Sequence, residues 1–219
     1  MSVGQVVRLV VGGGFGAAYL WVGYKASISA DPPLLSLIIG MTPLTLSAVA
    51  LAWHSRSIWW QALCVLCILA GIVEIDFLRA NTAWVYFIQH AGMHLLLGTM
   101  FGRTLGGTHA EALCSRMAAL IYTDGTDPYL MRYTWNVTLA WTVYFFVCAG
   151  VSILLFFFGP LEVWSFLANL LTPVLIGLIF VVEFLIRIRV LPPEQHASIS
   201  RTIQAYREFS EHNKTSSRP

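Results

Sequence analysis

The chain has 219 residues, of which 57% are hydrophobic and only 11% charged, with a formal net charge of +2 and a mean hydropathy of +0.70. A water-soluble domain carries about 25% charged residues, so the composition excludes an ordinary soluble domain and places the chain in the membrane class. The small positive balance, with no basic stripe interleaved with aromatics, excludes nucleic acid as a partner class.

The first apolar span runs from Val3 to Tyr24. It holds Arg8 and is longer than a signal core, so a retained helix is expected rather than a cleaved leader. Gly12, Gly14 and Ala17 satisfy a G-x-G-x-x-A dinucleotide fingerprint. That motif needs a strand-turn-helix unit around it, and none is present in the pattern. Gly12 and Gly16 are read instead as a close helix-packing face. Span two covers Leu34 to Trp53 with Pro43 inside it, and span three covers Ile58 to Val73, opened by Trp59 and Trp60 as interface anchors. Span four runs from Trp84 to Leu105, after the segment Glu74-Ile75-Asp76-Phe77-Leu78-Arg79.

The interval from Arg103 to Thr134 is polar. Its first part, Thr108 to Tyr122, places Ala112, Leu113, Met117, Leu120 and Ile121 at helical spacing. This predicts an amphipathic helix lying on the membrane surface, broken at Asp124-Gly125 and Asp127-Pro128. Span five covers Val137 to Phe158 and is closed by Gly159-Pro160; span six covers Val163 to Ile186 and stops at Arg187 and Arg189. The tail from Glu194 to Phe209 is expected to form a short, partly amphipathic helix.

The expected architecture is therefore an all-α, polytopic membrane protein of six transmembrane helices. Residues 1–103 form a four-helix transmembrane segment, 104–136 a cytoplasmic amphipathic loop, 137–187 a transmembrane hairpin, and 188–219 a cytoplasmic tail. With both termini inside, all of the 13 Lys and Arg residues except Lys25 and Arg79 fall on the inner side, as the positive-inside rule requires. The expected location is the bacterial inner membrane.

Four cysteines, Cys64, Cys67, Cys114 and Cys148, lie in apolar or cytoplasmic-facing segments, where no exported disulfide is expected. Cys64 and Cys67 make a C-x-x-C inside an apolar helix. Redox chemistry of the thioredoxin type needs a helix N-terminus and access to water, so small packing residues are the simpler account. His90 and His94 are four apart and share one side of a helix. Ionisable groups at bilayer depth are costly and often functional. The pair fits three descriptions: buried hydrogen-bonded structural histidines, a substrate- or proton-handling pair, or ligands to a metal or haem. A metal would need further ligands, and the acidic candidates are Glu74, Asp76 and Glu183. Haem is less natural, because axial ligands face one another across the ring. Gln89-His90 invites comparison with acyl transfer, but neither histidine begins an H-x-x-x-x-D. Glu183 with Arg187 and Asp76 with Arg79 are spaced for local ion pairs.

The segments FIQHAGMHLLLGTMFGRTL, CSRMAALIY, MRYTWNVTLAWTVYFF and WSFLANLLTPVLIGLIFVVEFLIR resemble a family of small bacterial inner-membrane proteins encoded among fatty-acid-synthase-like enzymes that make aryl polyene or similar polyketide lipids. The resemblance covers about residues 84–187 and is carried by Gln89-His90, Phe101-Gly102-Arg103-Thr104-Leu105, Tyr133-Thr134, Ala140-Trp141 and Glu183. It implies a pathway in which acyl chains are built on a carrier in the cytoplasm and delivered to a membrane. It assigns no catalytic residue and does not imply ketosynthase activity, which needs a large soluble fold. Two functions are expected from the whole sequence. One is an accessory membrane subunit that anchors cytoplasmic enzymes or assists lipid transfer; its partners would be membrane lipids and other proteins of an acyl-lipid pathway, with no cofactor. The other is a membrane enzyme or redox or metal-binding subunit using His90, His94 and an acid such as Glu183.

Overall fold

The computed structural model describes residues 3–29, 31–121 and 127–191, and every regular element among the described residues is helical. Chains this apolar have little choice, because a backbone amide in hydrocarbon finds no water and a helix satisfies its own hydrogen bonds. The helices are α1 (Val3–Ile28), α2 (Leu34–His54), α3 (Ile58–Val73), α4 (Ile75–Ala80), α5 (Thr82–Gly102), α6 (Leu113–Ile121), α7 (Pro128–Phe158), α8 (Leu161–Phe166) and α9 (Thr172–Val190). A 3₁₀ turn at His109–Glu111 precedes α6, and a π turn at Leu167–Leu171 joins α8 to α9 without a break. Among the described residues, three helical runs are long and apolar enough to cross a membrane: Leu34–His54, Pro128–Phe158 and Leu161–Val190. Trp59 and Trp60 are both exposed at the start of α3.

Several boundaries differ from the sequence expectation: α1 runs on to Ile28, α5 covers Thr82–Gly102 and α9 ends at Val190, and two starts differ as well. The helix over the expected fifth span begins at Pro128, not Val137. Proline suits a first helical position, where the missing N–H is no loss, and the Asp127 carboxylate accepts the Tyr129 N–H at 2.9 Å, so the start of the helix is capped. The sixth span starts at Leu161 and contains the π turn. The predicted tail helix at 194–209 and the break at Asp124-Gly125 lie outside the described residues.

The described elements form two compact units. The first draws on residues 1–92 and 151–173, the second on 93–150 and 174–219. In the first unit α1 packs against α8 and the π turn. Ser27 and Ser165 hydroxyls meet at 2.6 Å, and Asn169 Nδ2 donates to the Ser27 hydroxyl at 3.3 Å and to the Ser165 carbonyl at 3.1 Å. The approach is close because residue 23 is glycine: a Cβ there would lie 2.6 Å from Asn169 Oδ1. Gly40 of α2 plays the same part for α5, since a Cβ at Gly40 would overlap the Tyr86 phenol, whose hydroxyl donates to the Ser36 carbonyl at 3.2 Å. Trp84, Phe87, Phe156 and Trp164 fill the unit's aromatic centre, with Phe87 and Phe156 stacked at 4.1 Å and Trp164 fully buried. Arg79 does not pair with Asp76 as its spacing suggested. Its Nε donates to the Pro32 carbonyl at 2.7 Å and its Nη2 to the Asp31 carboxylate at 2.8 Å, so it ties α4 to the turn before α2. One guanidinium satisfies a carbonyl and a charge there together, which a helical i,i+3 contact does not offer.

In the second unit, the hydroxyls of Thr134, Thr138 and Thr142 each donate to the carbonyl four residues back, at 2.9, 2.9 and 2.8 Å. Their oxygen lone pairs remain available for α6. Thr138 Oγ1 accepts the Cys114 N–H at 3.1 Å, and Thr134 Oγ1 meets the Ser115 hydroxyl at 2.7 Å. Thr104 Oγ1 accepts the Leu113 N–H at 3.0 Å. The first amides of α6, which have no partner in their own helix, are thus satisfied by threonines outside it. The amphipathic helix expected here exists, but its packed face is not the large apolar one. Ala112, Ser115 and Ala118 are buried, while Met117 and Leu120 are exposed. Small side chains let α6 approach the threonine ladder closely, and the bulky ones turn away.

The Gly40 contact yields a stability prediction. Gly40→Ala forces the Tyr86 ring to move and is expected to cost about 1–3 kcal/mol, read as a lower melting temperature of the purified protein in detergent. Adding Tyr86→Ala should recover part of the loss; an unchanged melting temperature in the single variant would refute the contact.

Candidate functional site

His90 lies in the first unit on α5, half-buried. Its Nδ1 is 3.0 Å from the Ser152 hydroxyl on α7, and its Nε2 is 3.0 Å from the Thr172 hydroxyl at the start of α9. The surrounding donors assign the protons. Thr172 donates its own hydrogen to the Leu167 carbonyl at 2.8 Å, so toward His90 it acts as an acceptor and Nε2 carries the N–H. Ser152 accepts the indole N–H of Trp164 at 3.0 Å and gives its proton to Nδ1. The chain therefore runs in one direction: Trp164 N–H, Ser152 O–H, His90 N–H, Thr172 O–H, Leu167 carbonyl. This order of donors and acceptors matches the Nε2–H tautomer of the ring. Both ring nitrogens of His90 are thus engaged by hydroxyls.

The π turn is what brings Thr172 into place. Pro173 follows it, and proline lacks the N–H that would close the preceding helical turn. The Thr172 N–H bonds instead to the Leu167 carbonyl, the wide i→i+5 spacing, and π turns of this kind are frequent at functional sites.

His94 lies one turn along α5, in the second unit, and its neighbours differ. It is 6% exposed. The rings of Tyr144 and Phe145 meet it edge-on at 6.1 and 6.0 Å, and within this unit the Cys148 Sγ lies within 4.8 Å of a His94 ring nitrogen. Imidazole and thiolate together suit soft or borderline metals. Glu183 is not an acid held ready for a histidine. The Tyr133 hydroxyl donates to its carboxylate at 3.1 Å and Arg187 Nη2 at 2.6 Å, so the i,i+4 ion pair read from the sequence forms and is reinforced. Gln89 donates weakly to Met41 Sδ at 3.3 Å and makes no acyl-transfer arrangement with His90.

Other chemical candidates reduce to structure. The G-x-G-x-x-A run lies within the continuous helix α1, which is incompatible with a dinucleotide turn. Cys64 and Cys67 are free thiols on one face of α3. They border an apolar groove of about 840 Å³ between α2 and α3, with Leu37, Met41, Leu63 and Ile72 among its walls. The hydroxyls of Thr42, Thr45 and Ser55 at this groove donate to their own helix carbonyls. Cys114, the one cysteine outside the expected spans, is no activated nucleophile: burial pushes its thiol above the usual range and the Glu183 charge adds to this, against an opposing Thr138 hydrogen bond.

Ser152, Trp164, Thr172 and Tyr133 carry the polar contacts of the candidate residues and were not visible as site residues in the sequence. The available signal was Thr172-Pro173 inside an apolar span. Comparison with protein-family models, curated proteins and solved structures finds no match.

Ser152→Ala leaves the Trp164 indole and His90 each short of a partner in a buried site, which costs about 1–3 kcal/mol. The melting temperature should fall accordingly, and a fall no larger than that of an exposed Ser55→Ala control would count against the hydrogen-bonded chain. Cys114 should alkylate slowly at neutral pH, its rate still climbing above the ordinary thiol pKa of about 8.5; a rate that levels off below that pH would show an activated thiol.

Proposed function

We propose that the chain is an accessory integral membrane subunit of an acyl-lipid synthesis or export system, without turnover of its own. The observation that carries this is the His90 hydrogen-bond chain: an imidazole engaged on both nitrogens by Ser152 and Thr172 is placed to brace helices. The acyl-lipid context rests on the resemblance of residues 84–187. The six-span topology with cytoplasmic termini belongs to the same proposal. Three runs have the length and apolarity of spans, and α1 and α5, at 26 and 21 residues, have the length. The Arg79–Asp31 pair supports the placing of the α1–α2 and α3–α5 connections on one side. The membrane would be the bacterial inner membrane, and the cytoplasmic partners enzymes that extend or transfer acyl chains.

A second reading, a membrane enzyme or redox or metal-binding subunit using His90 and His94, draws on one observation, the Cys148 thiol beside His94. The two separate by mutation. In the accessory reading, His90→Gln lowers the amount of inserted protein, and lipid output per inserted copy stays at the wild-type level. Output lost while insertion remains normal overturns it. Metal analysis of the purified protein before and after His94→Leu tests the second reading, which needs a metal that the variant fails to retain.

A further inference from the structure

The outer face of α6 is set by two constraints. Hydrogen bonds from Leu113, Cys114 and Ser115 to Thr104, Thr138 and Thr134 fix the rotation of the helix about its axis, with Ala112, Ser115 and Ala118 turned inward. Leu113, Met117 and Leu120 then lie on the opposite side at helical spacing, and Met117 and Leu120 are 55% and 50% exposed. Basic groups lie on α6 and next to the residues it bonds to. Arg116 is on α6 itself. Arg103 precedes Thr104, which caps α6, and Arg132 follows Met131, whose carbonyl accepts the Ser115 hydroxyl at 3.3 Å. All three are exposed, and none forms an ion pair with a described residue, whereas Arg187 is neutralised by Glu183.

A short apolar strip near arginines that form no ion pair among the described residues matches one environment, the boundary between acyl chains and negatively charged headgroups. A protein partner would have to bring carboxylates to three arginines around a strip too narrow for a stable interface of its own. We propose that the Leu113–Met117–Leu120 face of α6, with Arg103, Arg116 and Arg132, is a docking surface for anionic phospholipid, with the acyl chains against the strip and the phosphate held by the arginines. This surface is separate from the histidines and does not depend on the accessory reading, because its test reads lipid retention and not pathway output.

The full-length protein in mild detergent is titrated in parallel with phosphatidylglycerol and phosphatidylcholine, and bound lipid is counted by native mass spectrometry. Wild type is expected to prefer the anionic lipid, with about a fivefold loss of that preference for each arginine replaced, so that Arg116→Gln with Arg132→Gln brings the two lipids close together. Met117→Gln with Leu120→Gln should weaken retention of both lipids, since the strip serves either. Equal retention of the two lipids by wild type, or an unchanged preference in the arginine variant, overturns the proposal. So does displacement of the lipid by a co-purifying protein that covers Met117, detected by cross-linking. The surface arginines make no described contact, so the arginine variant is expected to keep the wild-type melting temperature, and retained stability makes a lost preference interpretable.

Discussion

A hydroxyl in hydrocarbon has to find its partner inside the protein, and this chain uses that constraint as its main means of assembly. A threonine or serine that donates to its own helix, as Thr134, Thr138, Thr142 and Ser27 do, is satisfied as a donor yet keeps oxygen lone pairs. Those lone pairs then receive a second helix. Thr138 takes the Cys114 amide, and Ser27 takes the Asn169 amide. Thr172 does the same for the His90 imidazole. Association between apolar helices has no hydrophobic drive when lipid is equally apolar, so these acceptors, with close approaches at Gly23 and Gly40, supply the specificity that a buried core gives a soluble protein.

The same constraint explains what the sequence reveals. Apolar runs are legible because only helices tolerate the environment, and α2, α3 and the end of α7 fall within a residue or so of their expected limits. The Glu183–Arg187 pair was legible because its geometry is local to one helix. What was not legible depends on contacts between distant segments. Arg79 has an acid at a favourable spacing and takes another, because the Pro32 carbonyl and Asp31 are presented together. The start of α7 at Pro128 was hidden by the polar character of residues 128–136, which hydropathy reads as loop although they cap and propagate a helix well. The π turn needed Pro173 to be weighed as the cause of a widened turn rather than as a simple break.

His90 and His94 show how far spacing carries a functional argument. Four residues apart on one helix, they promise a common chemistry. Their surroundings give them different ones: two hydroxyls and an indole relay at His90, and aromatic edges with a thiol at His94. Spacing settles which way a side chain leaves its own helix. Its partners are decided by residues far off in the chain, here Ser152 and Thr172, whose types carry little signal alone. Held between Ser152 and Thr172, the His90 ring links α5 to α7 and to the start of α9.

The helix α6 inverts the pattern of a soluble amphipathic helix. Its small and hydroxyl-bearing side chains face the protein, and its large apolar ones face out. In water that orientation would expose an unfavourable strip; against lipid it costs nothing, while the inward hydroxyl bonds would be lost if the helix turned over. The balance is therefore set by hydrogen bonds and not by burial of apolar area. A hydrophobic pattern alone identifies the apolar face but not which side of it the protein occupies. Only the threonine ladder of α7, read together with Ser115, decides which side of α6 faces the protein.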